Sequence, residues 1–192
     1  MRIIGGVARG RTLSSVTGPT RPTSDRAREG LFSSLLSEFG DFKGLSFLDL
    51  FAGSGAIGLE ALSRSASIVH AVEKDENAVR TIKANAELVQ KGNSSGNFHL
   101  YAMSVQKFLE APALTSYDII YIDPPYDFPA SELDKCLIDL CTGGFLREDA
   151  VIAVERAGKS PTVHWPDGYR PMRKRNYGQA VIYYGSPLAE NG

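Results

Sequence analysis

Between residues 45 and 154 the chain alternates two hydrophobic patterns. Short apolar runs at 45–50, 68–72, 98–101, 117–122 and 151–154 have the length and composition of buried strands. Between them, residues 56–65, 76–89, 105–109 and 131–140 are apolar at every third or fourth position, which predicts helices. In the second of these, Ala78, Val79, Ile82, Ala86 and Val89 form one stripe. Upstream, residues 25–39 carry Leu31, Phe32, Leu35, Leu36 and Phe39 on one helical face, with Thr23 or Ser24 available as cap. Downstream, residues 169–175 and 179–184 read as two more strands joined near Tyr177-Gly178, and Gly143-Gly144 breaks the preceding helix. Strands alternating with helices imply a parallel sheet covered on both faces, closed here by an antiparallel pair.

The flanks differ from this core. Residues 2–13 interleave apolar and basic side chains around Gly5, Gly6 and Gly10, the pattern of a glycine-rich hairpin with little stability of its own. Gly18-Pro19 and Arg21-Pro22 make the next segment a breaker-rich link, and residues 92–96 read as a polar surface loop.

With 43% hydrophobic and 22% charged residues in 192, disorder and fibrous repeats are excluded and one domain with a small appendage is expected. The formal net charge of −1 argues against a uniformly basic nucleic-acid binder. The distribution qualifies that. Residues 1–30 hold six arginines (Arg2, Arg9, Arg11, Arg21, Arg26 and Arg28) against Asp25 and Glu29, and Arg170, Arg173, Lys174 and Arg175 form a second cluster. Arginine's planar fork suits phosphate, although Arg21, Arg26 and Arg28 can equally pair with Asp25, Glu29 or Glu38 along a helix. Cys136 and Cys141 have neither zinc nor thioredoxin-like spacing and are expected as reduced residues in an apolar helix. No apolar run reaches the length of a membrane span, and the N-terminus lacks a signal-like apolar stretch, so a cytoplasmic location is expected. His70, His99 and His164 are scattered and suggest no metal.

The chemistry concentrates at strand ends, where α/β sheets bind ligands. The first strand runs into Asp49-Leu50-Phe51-Ala52-Gly53-Ser54-Gly55-Ala56-Ile57-Gly58. Its G-x-G-x-x-G spacing gives a tight turn and close backbone approach just before a helix. The second strand ends at Glu73, 24 residues after Asp49, where a carboxylate can accept from ribose hydroxyls. A dinucleotide would place pyrophosphate near Asp49 and be repelled. S-adenosylmethionine presents cationic groups there instead, so an acid four residues before the first glycine favours the methyl donor.

The fourth strand ends in Asp123-Pro124-Pro125-Tyr126. Two prolines remove two N–H donors and leave carbonyl oxygens to accept hydrogen bonds. An amino group on a nucleobase is a weak nucleophile because its lone pair is delocalised into the ring. The Asp123 carboxylate and the Pro124 carbonyl together can hold both amino hydrogens, which favours a pyramidal nitrogen aimed at a sulfonium methyl. Tyr126 offers a face for base stacking.

Asp123-Pro124-Pro125-Tyr126 resembles motif IV of the methyltransferases that modify adenine N6, cytosine N4 or guanine N2. Arg2-Ile3-Ile4-Gly5-Gly6, Arg9-Gly10-Arg11, the run from Arg21 to Glu29, and the run from Asp49 to Arg64 are similar to the bacterial 16S ribosomal RNA guanine-N2 methyltransferase family (RsmD-type), over nearly the whole chain. The resemblance implies a Rossmann-like α/β fold: a seven-stranded methyltransferase sheet with helices on both faces and an N-terminal β-hairpin extension. The division would be a basic extension and linker at 1–24, the S-adenosylmethionine-dependent domain at 25–187 and a tail at 188–192.

It also implies roles. Asp49, Gly53 and Gly55 would line the cofactor, Glu73 would hold its ribose, and Met103 and Ser104 would lie near the adenine. Asp123, Pro124 and Tyr126 would hold the target base, and Arg9, Arg11, Arg21 and Arg26 would face RNA or the cofactor mouth. S-adenosylhomocysteine would be the product, no metal would be needed, and the partner would be 16S ribosomal RNA in the small subunit or an assembly intermediate, met by a monomer. Two departures stand out: Ser33 replaces the family's usual asparagine after Leu31-Phe32, and the loop after the third strand lacks an acid, so Ser104 or a backbone group must serve the adenine.

Three other readings share some of these residues. DNA adenine-N6 methylation would use the same four catalytic residues but usually needs a recognition domain. A nicotinamide-dependent dehydrogenase would use the glycines and Glu73 but leaves the proline pair unexplained. A non-catalytic RNA-binding assembly factor would keep the fold without turnover.

Overall fold

The computed structural model describes residues 1–16, 24–91 and 96–188. Arg21 and the breaker-rich link, most of the polar loop at 92–96 and most of the expected tail lie outside the described residues. Twelve elements follow in order: α1 (Asp25–Phe39), β1 (Ser46–Leu50), α2 (Ala56–Ser63), β2 (Ile68–Glu73), α3 (Glu76–Gln90), β3 (Asn97–Ala102), α4 (Val105–Glu110), β4 (Tyr117–Ile122), α5 (Ala130–Thr142), β5 (Leu146–Ala157), β6 (Tyr169–Tyr177) and β7 (Ala180–Pro187).

The strands form one sheet in the order β3-β2-β1-β4-β5-β7-β6. Strands β1 to β5 run parallel, and β7 inserts antiparallel between β5 and β6. The order reverses between β1 and β4, which opens a crevice above their carboxyl ends. Side chains alternate between two apolar layers. Phe47, Val69, Ile119, Tyr121 and Ala153 pack under α1, α2 and α3, while Leu48, Leu50, Ile120, Ile122 and Val154 pack under α4 and α5.

Three helices begin on side-chain caps: Ser24 Oγ accepts from Ala27 N at 3.1 Å, Asp75 Oδ1 from Ala78 N at 2.8 Å, and Ser104 Oγ from Lys107 N at 3.2 Å. Element ends differ from the pattern-based expectation, as two cases show. The α2 helix stops at Ser63, and Ser65 turns with φ 78°. The β5 strand spans twelve residues instead of four, because it pairs with β4 from Leu146 and with β7 to Ala157, although its charged segment 147–149 is exposed. A strand that owes its ends to partners on both sides carries no apolar signal there.

Residues 1–13 fold back on themselves. Ile3 N donates to Arg11 O and Gly10 N to Ile3 O, both at 2.9 Å, and Arg2 bridges Thr12 antiparallel. Ile3, Ala8 and Leu13 are buried in the α1–α2 layer. The buried Glu60 carboxylate accepts the N–H groups of Ile4 and Gly5, each at 2.8 Å, and pairs with Arg64 Nε at 2.8 Å. Ser63 Oγ adds a contact, accepting from Ala8 N at 2.9 Å. The hairpin therefore takes its order from α2, as its weak intrinsic pairing requires.

Candidate active site

One large cavity, about 910 Å³, lies over the carboxyl ends of β1, β2, β4 and β5. Its wall brings together Asp49, Gly53, Glu73, Met103, Ser104, Asp123, Pro124 and Tyr126, with Arg26 at the α1 side. Gly55, the N-cap of α2, is not among the residues that line it, and a Cβ there would meet Ile82 and Leu59 instead.

The first half of the site is the turn from β1 into α2. Phe51 has φ 61°, an uncommon conformation for a bulky residue, and Gly55 has φ 75°, which only glycine adopts without strain. Phe51 meets Phe128 edge-on at 5.1 Å between ring centroids, so the glycine turn and the loop after β4 touch. Gly58 serves by closeness: a Cβ there would lie 3.1 Å from Val69 and 3.2 Å from Asp49 Oδ2.

The two acids of this half are not simply open to a ligand. Asp49 is 1% exposed, and its Oδ2 accepts from Gly58 N at 2.9 Å. Burial pushes its carboxyl up to about 7, opposed by the Gly58 hydrogen bond and reinforced by the charge of Glu73. A cation arriving beside it would reverse that shift. Glu73 is half-buried, and its carboxylate is already bound three times: Oε2 accepts from Gly53 N at 2.9 Å, and Oε1 from Lys74 N at 2.8 Å and Asp75 N at 2.9 Å. Of about four lone-pair sites on a carboxylate, one remains. Acceptance from two ribose hydroxyls at once therefore requires Glu73 to release one backbone partner.

Met103 and Ser104 border the cavity at the start of α4, where Ser104 Oγ is also the helix cap. The cavity is large enough for an adenosyl group, and a carboxylate at the β2 end and a buried carboxylate at the β1 end suit a ribose and a cation. The residues present therefore fit S-adenosylmethionine.

The second half is the loop after β4. Asp123 is half-buried, Pro124 is buried and Tyr126 is 63% exposed, with its ring open above the cavity. Pro125 O is occupied, accepting from Phe128 N at 3.0 Å and Arg156 Nη1 at 3.5 Å. Among the described residues no donor reaches Pro124 O. Arg156 also donates to Phe128 O at 3.1 Å, so this β5 residue clamps the loop. Burial lowers the pKa of Arg156 and the charge of Asp123 raises it.

The arginines separate. Arg9 and Arg26 are exposed, and Arg26 borders the cavity. Arg11 is half-buried and donates through Nη1 to Leu88 O. Arg28 is fully buried: its Nη2 donates to Arg2 O at 2.7 Å and to Asp25 Oδ1 at 2.9 Å. Of the alternative pairings within the helix, the Arg28–Asp25 pair forms, whereas Glu38 pairs with Arg173 at 3.1 Å.

Sequence reasoning missed Glu155, Tyr121 and Arg156, all of which border the cavity. The signal was available for Glu155: it is an acid at the carboxyl end of a parallel strand. Arg156 had none, because its contacts to the β4 loop depend on strand order.

Comparison with known proteins places these features. The family model described as conserved hypothetical protein 95 matches residues 1–186. The ribosomal RNA small subunit methyltransferase D of Escherichia coli K12 is 36% identical over 184 residues, covering 94% of this chain and 87% of that protein. The Haemophilus influenzae protein of the same name is 32% identical, covering 93% and 89%. A solved Escherichia coli structure, provisionally described as a methyltransferase, superposes with a TM-score of 0.81 at 32% identity and covers 99% of each chain. A Synechocystis magnesium protoporphyrin IX methyltransferase with bound S-adenosylmethionine shares the fold alone, with a TM-score of 0.63 at 13% identity over 88% of this chain and 87% of that one.

Proposed function

This chain belongs to the conserved hypothetical protein 95 family, which includes the ribosomal RNA small subunit methyltransferases D, and from that premise we propose that it methylates the exocyclic N2 of one guanine in 16S ribosomal RNA. The chain is an S-adenosylmethionine-dependent ribosomal RNA methyltransferase. The proposal concerns the base, the atom and the residues. The observation that carries it is the convergence of Asp123, Pro124 and Tyr126 on the same cavity as the glycine turn and Glu73.

When bound, S-adenosylmethionine supplies an electrophilic methyl group on a sulfonium. Glu73 orients the cofactor through its ribose, and Asp49 offers negative charge toward its cationic end. Met103 and Ser104 border the adenine, with Ser104 acting mainly through backbone groups because its hydroxyl caps α4. Tyr126 stacks on the target base. The Asp123 carboxylate and the Pro124 carbonyl accept the two amino hydrogens and so turn the nitrogen lone pair toward the methyl. As the N–C bond forms and the S–C bond breaks, the sulfur becomes a neutral thioether and the nitrogen loses one proton toward Asp123. Alignment of the reacting atoms provides most of the rate. Arg9, Arg11 and Arg26 would meet RNA phosphates on the face that carries the hairpin, and Arg21 is proposed for the same surface.

The test is methyl transfer from labelled S-adenosylmethionine to small ribosomal subunits, naked ribosomal RNA and duplex DNA, all from a strain lacking this protein, followed by nucleoside analysis. N2-methylguanosine in ribosomal RNA is the expected product. Methyladenine in DNA would overturn the proposal.

A further inference from the structure

Glu155 stands at the catalytic end of the sheet with no part in the steps above. It lies at the carboxyl end of β5, borders the cavity and is 7% exposed. In the parallel pairing of β4 and β5, Tyr121 is opposite Ala153 and Ile122 opposite Val154. Continuing that register puts Glu155 beside Asp123. Side chains two apart on a strand share a face, so Tyr121, Ala153 and Glu155 belong to one face of the sheet, and Asp123, the residue that follows β4, borders the same cavity as Glu155. The contact between Tyr121 and Glu155 agrees: the phenol donates to Glu155 Oε2 at 2.6 Å. Among the described residues no donor bonds the second oxygen, Oε1. A nearly buried carboxylate therefore sits beside the residue that holds the amino group, with one oxygen fixed and the other available as an acceptor.

The chemistry of the amino-bearing bases says what that acceptor can read. In adenine and cytosine, the Watson–Crick ring nitrogen next to the amino carbon is an acceptor. In guanine it is N1–H, a donor pointing alongside the N2 amino group. A carboxylate beside Asp123 would repel the lone pair of the first two and accept a hydrogen bond from the third. We propose that Glu155 is the specificity residue of this site, accepting the N1–H of the target guanine through Oε1 while Tyr121 holds Oε2. The proposal rests on the guanine-N2 reading given above.

Tyr121 is the reason a rigid reading is available. Its ring is buried in the α1–α2 layer, so the phenol is held in place where it donates to the Glu155 carboxylate. Sites built around a fixed hydrogen bond reject the analogue lacking it far more strongly than apolar pockets reject a shape change.

The experiment uses RNA carrying either guanine or 2-aminopurine at the target position. 2-Aminopurine keeps the amino group on C2 but has a bare N1 acceptor. The full-length wild-type enzyme and its E155Q variant are compared on both by kcat/KM. Glutamine keeps the shape and can turn an amide N–H toward the bare nitrogen. Wild type is expected to prefer guanine by about 100-fold or more. E155Q is expected to lose on guanine and to narrow that preference by about 10-fold or more. S-adenosylmethionine affinity by calorimetry should stay within about threefold, showing an intact fold. Equal loss on both substrates, with the ratio unchanged, would overturn the assignment and leave Glu155 as a proton acceptor or a support for Tyr121. A wild-type product other than N2-methylguanosine on the guanine RNA would overturn the guanine reading itself, and this assignment with it.

Discussion

Glu73 Oε2 accepts the backbone N–H of Gly53 at 2.9 Å. The acid at the end of β2 and the first glycine of the β1–α2 turn are thus one unit before any ligand arrives. The same carboxylate holds the start of the β2–α3 turn through Lys74 and Asp75, so a single side chain sets the shape of two loops that border the large cavity.

Replacing Glu73 should therefore act twice. Glu73→Ala is expected to lower stability by about 1.5–3 kcal/mol, the scale of hydrogen bonds to a charged group, and to weaken S-adenosylmethionine binding at least about tenfold. Glu73→Gln, whose single amide oxygen can serve either Gly53 or the Lys74 and Asp75 pair but not both, should recover only part of the stability and less of the affinity. Denaturation paired with calorimetric titration separates the two. Parallel recovery of both would show that the ribose contact adds nothing beyond loop order.

Asp49 gives a pH signature. Its carboxyl is pushed up to about 7 by burial, so between about pH 4 and pH 7 the native state holds a proton that the unfolded chain releases. Its presence then costs stability as pH rises through that window, on the order of 2–4 kcal/mol once fully ionised. Asp49→Asn should be less stable or equal near pH 4 and more stable above pH 7, when melting is followed across pH. Cofactor binding by wild type near pH 6.5 should release protons, detected as a dependence of binding enthalpy on buffer ionisation, and Asp49→Asn should show none.

Tyr126 is 63% exposed, so its removal leaves the core untouched. Tyr126→Ala should keep the melting temperature and lose about 1–3 kcal/mol of base stacking, roughly 10- to 100-fold in kcat/KM. Tyr126→Phe should stay within a few-fold. Equal damage from both substitutions would replace stacking by a role for the hydroxyl.

Glu60 is expected to control the hairpin. Glu60→Ala removes the acceptor of Ile4 N and Gly5 N and the partner of Arg64. A loss of about 3–5 kcal/mol is expected, as for breaking other buried pairs. Limited proteolysis should then cut the first residues well before the rest of the chain. Resistance of the N-terminus in this variant would show that the apolar contacts of Ile3, Ala8 and Leu13 suffice.

The hairpin arginines should differ. Arg9 is exposed, whereas Arg11 already spends one donor on Leu88 O. Arg9→Ala is expected to flatten the salt dependence of RNA binding by up to about 0.7 in the logarithmic slope, the value for one phosphate contact on a single strand. Arg11→Ala should change it less. An unchanged slope for Arg9→Ala would move the RNA surface away from the hairpin tip.

Local patterns carried much of this molecule. The alternation of apolar runs and helical stripes determined the order and kind of its elements, because a strand buried on both faces and an amphipathic helix each leave a periodic trace. The glycine turn with Asp49 and Glu73, and the Asp123-to-Tyr126 run, were legible because their chemistry lies within short segments at strand ends. Other features depended on neighbours brought from far along the chain. The length of β5 came from its pairing with β4 and β7, and the occupancy of Glu73 came from Gly53, twenty residues away. Glu60 holds backbone groups more than fifty residues upstream, and Glu155 borders the same cavity as the loop after β4 only because β5 lies next to β4. A single side chain records its own charge and shape in the sequence. The partners that fix its direction, its hydration and its remaining hydrogen-bond capacity exist only once the sheet is assembled.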